Sequence, residues 1–79
     1  MRERKLAPGE YDGTSAIATY EIMRHYADIF PDCLSVKWQE LAIVLDCRMV
    51  EFRERDNIPI EVRFVSLRGR FQATWVKGN

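Results

Sequence analysis

His25, Cys33 and Cys47 are the side chains of this chain best suited to chemistry. An imidazole within hydrogen-bond distance of a thiol can take its proton and leave a nucleophile. No flanking motif supports such a dyad, and His25 falls between Arg24 and Tyr26 on what reads as the polar side of a helix. As metal ligands the three residues are one short of a closed zinc site, and no Cys-x-x-Cys pair occurs. Acidic residues are plentiful, yet none are paired at a spacing that suits acid–base work, and there is no glycine-rich phosphate loop. The expectation is a non-catalytic chain with no metal and no cofactor.

Binding is the remaining chemistry. Basic residues gather in two places: Arg2, Arg4 and Lys5 near the start, and Arg63, Arg68, Arg70 and Lys77 towards the end. Such groups can hold phosphates. Twelve basic and twelve acidic residues cancel overall, however, so no net field draws the chain to a polyanion or an anionic membrane. Trp38 and Trp75 are of the type that anchors interfaces, but their spacing places them in a core.

These groups must be positioned by a small fold. With 79 residues, 47% of them hydrophobic and 11% aromatic, the chain has the composition of one folded domain. At this size only about 60–65% of the unfolded surface is buried. No apolar run approaches the roughly 18 residues of a membrane span, and the first residues lack the apolar stretch of a secretion signal. The chain is therefore expected to be cytoplasmic, with two reduced thiols and no membrane partner.

Residues 1–13 carry mixed charges and two turn signals, Pro8-Gly9 and Asp12-Gly13, and read as a flexible arm ahead of a single α+β domain over 14–79. Thr14 or Ser15 is suited to cap a first helix. Ala16, Tyr20, Ile22, Met23, Tyr26, Ala27, Ile29 and Phe30 cover one broad face of it, and Glu21, Arg24, His25 and Asp28 the other. Pro31 ends it. Ser35 is a plausible cap for a second helix with Trp38, Leu41, Ala42 and Leu45 on one stripe. Were that helix to run on to Arg55, Met49 and Phe52 would extend the stripe, but Ile43, Val44, Cys47 and Val50 would form a second apolar side. A break near Asp46-Cys47 removes the conflict.

The C-terminal segment reads as a hairpin. Ile60, Val62 and Phe64 alternate with polar residues, as do Phe71, Ala73 and Trp75. A two-residue loop at Arg68-Gly69 pairs Phe64 with Ala73 and Val62 with Trp75, and puts every large residue on one face. A slip of one residue destroys that segregation. Val65, Leu67 and Val76 then share the outer face and suggest a docking surface for a homodimer.

The order of helix, connector, Glu40-Leu41-Ala42-x-x-Leu45-x-Cys47, turn, a segment with Phe52, and a hairpin with a basic tip resembles the winged helix-turn-helix DNA-binding domains over residues 15–77. Leu41, Ala42, Leu45, Cys47 and Phe52 match the family's apolar spacing. Asp46 stands where the family usually has Gly, and Arg55 where it has an apolar residue. The resemblance implies a recognition helix over 48–56, with Arg48 and Arg53 reading DNA, and a wing whose Arg68 and Arg70 grip phosphates. Its implied function is transcription regulation by a DNA-binding homodimer.

A different fold suits the same residues. Val50 and Phe52 can alternate in a strand, with Asp56-Asn57 turning the chain into the hairpin, so that two helices pack on a three-stranded antiparallel meander. This supplies the third strand that an isolated hairpin needs for stability. It favours a protein-binding module, an adaptor or inhibitor, that uses the outer hairpin face or adds its edge strand to a partner sheet. The helix or strand state of residues 48–55 separates the two readings.

Overall fold

The structure, a computed structural model, describes the backbone of residues 8–78 and the side chains of residues 16–78. Two helices, α1 (Pro8–Ile29) and α2 (Ser35–Val44), precede three strands, β1 (Cys47–Arg55), β2 (Ile58–Ser66) and β3 (Gln72–Val76). The strands form one antiparallel sheet in the order β1-β2-β3. α1 packs against β3 and α2 against β1. This is the two-helix, three-stranded meander form of the α+β fold.

α1 starts at Pro8 rather than at the expected Thr14 or Ser15. A proline suits the first helical position, because its missing N–H would have no partner there and its φ is already helical. The expected arm over 1–13 is thus helical from residue 8, and residues 1–7 lie outside those described. The helix stops at Ile29, ahead of Pro31. Thr19, Met23 and Ala27, one per turn, are buried, with Ala16, Tyr20 and Tyr26 half-buried beside them. The buried stripe is narrower than expected. Ile22, Ile29 and Phe30 are exposed, because α1 packs mainly on the short edge strand β3 and touches α2 through Tyr26.

α2 begins at Ser35, with Leu34 in the cap position in extended geometry and no side-chain cap, so Ser35 does not act as the expected cap. Its inner stripe is the expected one: Trp38 and Ala42 are buried, Leu41 and Leu45 half-buried. The helix ends where two-sided hydrophobicity demanded. The Leu45 N–H donates to the Leu41 and Ala42 carbonyls, Asp46 N–H donates to Ile43 O at 3.0 Å, and Asp46 turns the chain at φ 60°.

Residues 48–56 do not form a recognition helix: Arg48 to Arg55 lie in strand β1, followed by a turn at Asp56-Asn57. Both turn residues have positive φ, 52° and 65°, and Arg55 lies opposite Ile58. Such a two-residue turn matches the natural twist of paired strands, and Asp and Asn tolerate its backbone. Cys47, Met49 and Phe52 lie opposite Ser66, Phe64 and Val62 on the core face, and a register shift leaves Val50 as the extra residue between Met49 and Glu51. That bulge is why two residues three apart face the same way. A bulged strand has here imitated the i, i+3 spacing of a helix.

The β2–β3 register is the expected one, Phe64 opposite Ala73 and Val62 opposite Trp75. Their loop is wider than the expected two residues. Gly69 N–H donates to Ser66 O at 2.9 Å, and Ser66 Oγ accepts from Arg70 N at 2.7 Å and Phe71 N at 3.4 Å. Leu67 N–H instead donates to Asp46 O at 3.0 Å, drawing Leu67 away from β3. The core is aromatic at its centre. Trp38 stacks on Trp75 with centroids 5.6 Å apart and meets Tyr26 edge-on at 5.0 Å and Phe64 at 6.2 Å. Each such pair adds about 0.5–1.5 kcal/mol beyond its buried area.

Candidate interaction surfaces

The chemistry-bearing residues are kept apart. His25 is exposed on α1, Cys33 is half-buried in the connector, and Cys47 is buried at the start of β1. Cys47 Sγ donates to Leu45 O at 3.4 Å. Burial first, and the neighbouring Asp46 carboxylate second, push this thiol's pKa up. A thiol so held stays protonated and is a poor nucleophile. Tyr26 O–H donates to Lys37 O at 3.3 Å and lies 3.7 Å from Cys33 Sγ. Burial, then the Cys33 hydrogen bond, push the phenol from 10.0 up to about 12. No cluster of three or more His, Cys, Asp or Glu side chains suited to a metal occurs among the described residues. Nor is any described helix long and apolar enough to cross a membrane.

The four arginines expected to meet DNA do not share a surface. Arg48 and Arg53 lie opposite Val65 and Glu61 on the sheet face turned away from the helices. Arg53 Nη1 is 2.9 Å from Glu61 Oε1, Arg63 Nη2 is 3.4 Å from Glu61 Oε2, and Arg63 Nε donates to Thr74 Oγ1 at 3.2 Å. This face is a lattice of alternating charge. Arg68 and Arg70 belong to the β2–β3 loop, where they line a cleft of about 550 Å³ between that loop, α1 and the end of α2. Ile22, Leu45 and Phe71 give the cleft an apolar wall, and Asp46 sets a carboxylate among its arginines.

The expected outer hairpin patch is also dispersed. Val65 and Val76 are half-buried and four rungs apart along the ladder, with the outward-facing Arg63–Thr74 pair midway between them, and Leu67 is exposed in the loop. The free edge of β1 is guarded. The Val50 bulge interrupts it, and Arg48, Glu51, Arg53, Glu54 and Arg55 crowd it with charge. Bulges and charges of this kind are how natural sheets discourage edge pairing.

The surface that sequence reasoning passed over is on α2. Val36, Ile43 and Val44 are 63%, 73% and 79% exposed, on the side opposite the buried Trp38 and Ala42. Val36 and Ile43 lie two turns apart and point the same way. The signal was in the sequence, since Ile43 and Val44 are the start of the second apolar side. Ending the helix at Val44 turns Cys47 inward but leaves these two residues, with Val36, on the outside.

No family model, no curated protein and no solved structure matches the chain.

Proposed function

We propose that this chain is a small non-catalytic binding protein that engages another protein through the outward face of α2. The observation that carries this reading is the exposure of Val36, Ile43 and Val44 on a helix whose opposite stripe already fills the core. β-Branched apolar side chains held in water on a rigid helix gain by being covered, whereas on the outer sheet face Arg53 and Arg63 are already paired with Glu61. DNA is the weaker partner on three counts: the absent recognition helix, the dispersal of Arg48, Arg53, Arg68 and Arg70, and a net charge of zero.

The test compares the wild-type chain with Ile43→Asp and with the double change Arg68→Glu/Arg70→Glu. All three should fold equally well, as circular dichroism will report, because the altered residues lie outside the core. Immobilised wild-type protein should retain a partner from its source cells that Ile43→Asp releases and the arginine variant keeps. Duplex DNA titrated at low and moderate salt is the counter-measurement. Tight binding that weakens steeply with salt, disappears in the arginine variant and ignores Ile43→Asp would overturn the proposal.

A further inference from the structure

We infer that the partner on the α2 face is a second copy of this chain, joined by antiparallel packing of the two α2 helices about a two-fold axis between Gln39 and Glu40. This identifies the partner of the surface proposed above and rests on that reading.

The stripe is suited to self-pairing. It runs Val36, Gln39, Glu40, Ile43: a β-branched residue, two positions, a polar pair, two positions, and a β-branched residue again. Read in either direction the pattern is the same, so a two-fold axis at its centre sets apolar against apolar and polar against polar. An antiparallel pair centred on Gln39-Glu40 sets Val36 against Ile43 of the other copy, twice. On one flank the two Gln39 amides meet, and an amide can both donate and accept. On the other flank the Glu40 carboxylates come together, and Lys37, already 3.7 Å from Glu40 in its own helix, borders the Glu40 of the other copy. The flank then runs Lys, Glu, Glu, Lys, with a lysine beside each of the two central carboxylates. Antiparallel helices also oppose their dipoles. A chain of zero net charge meets no long-range repulsion from its copy.

The area is sufficient for a weak dimer. Val36, Ile43 and Val44 together expose on the order of 350 Å², the size of apolar patch that is often functional on a small protein. Gln39, Glu40 and Lys37 border this patch, and the part of it that one helix pair can cover lies below the ~800 Å² per partner of a standard interface, which sets the association at the weak end. Association in the micromolar range is expected.

Sedimentation velocity over micromolar to millimolar concentration should show a monomer–dimer equilibrium that Ile43→Asp weakens at least about 100-fold. Val65→Asp, on the outer sheet face, should leave it unchanged. Geometry is tested in a Cys33→Ser background carrying either Val36→Cys or Ile43→Cys. Mixed under mild oxidation, the two variants should form an interchain disulfide with each other, and neither should do so alone. Cross-linking of each variant with itself would overturn the antiparallel arrangement. A chain that stays monomeric at millimolar concentration overturns the second copy as partner. If Ile43-dependent capture of another protein persists in that case, the surface stands and only its occupant changes; if capture is lost too, both readings fall.

Discussion

Ser66 fastens the β2–β3 loop, and its hydroxyl can be removed cleanly. Ser66→Ala deletes one oxygen from a residue only 8% exposed, at the end of β2. That oxygen accepts from Arg70 N at 2.7 Å and from Phe71 N at 3.4 Å. The first bond is short; the second is at the limit of a hydrogen bond and counts for little. Leaving a buried donor unsatisfied costs about 1–3 kcal/mol. Arg70 is only half-buried, which puts the loss at the lower end, about 1–2 kcal/mol. A domain of this size holds about 4–12 kcal/mol in all, so the change is large enough to measure. Thermal unfolding should shift down by roughly 4–8 °C per kcal/mol lost. Amide exchange at Arg70 should accelerate while that of the β1–β2 ladder stays slow, and Ser66→Thr should retain most of the stability. A Ser66→Ala variant within about 0.3 kcal/mol of wild type, with Arg70 still protected, would refute this account of the loop.

Two further outcomes follow from β1 and from the raised pKa values. Deleting Val50 removes the surplus residue while keeping Met49 opposite Phe64 and Glu51 opposite Arg63, so the variant should fold with a loss within about 1 kcal/mol. Deleting Arg63 from β2 instead turns the residues that follow to the wrong face and should abolish cooperative unfolding. For Tyr26 and Cys47 the folded state holds the proton more tightly than the unfolded chain does. Their contribution is therefore complete at neutral pH, begins to fall as pH passes the unfolded values, and for Tyr26 is lost between pH 10 and about 12. Denaturant midpoints measured across that range should drop, and Tyr26→Phe should flatten the decline.

Much of the fold was legible because some patterns allow only one solution. The β2–β3 pairing follows from alternation, since one register alone puts Val62, Phe64, Ala73 and Trp75 on a shared face. The end of α2 follows from the two greasy sides that continuation would have produced. β1 resisted reading because the Val50 bulge gives Met49 and Phe52 helical spacing, and the distinction lies in backbone geometry that no residue type announces. Pro8-Gly9 carries a turn signal, although a proline equally begins a helix, as it does here. The loop width depends on Leu67 bonding Asp46, some twenty positions away in the chain. The interaction surface was half visible: Ile43 and Val44 were seen as surplus, but only the course of α2 shows them left outside, together with Val36.

The stack of Trp38 on Trp75 also gives the molecule a built-in optical reporter. They are the only two tryptophans in the chain, and their rings lie 5.6 Å apart at 26°. At that separation the indole transitions couple, so the folded state carries a paired near- and far-ultraviolet dichroism signal that neither ring has alone. Trp75 comes from the last strand and Trp38 from the second helix, so the signal exists only when the sheet and the helical layer have docked. A variant that keeps its secondary structure but loses docking would keep the ordinary peptide signal and lose the couplet. The effects of the substitutions above on the core can thus be followed without any label.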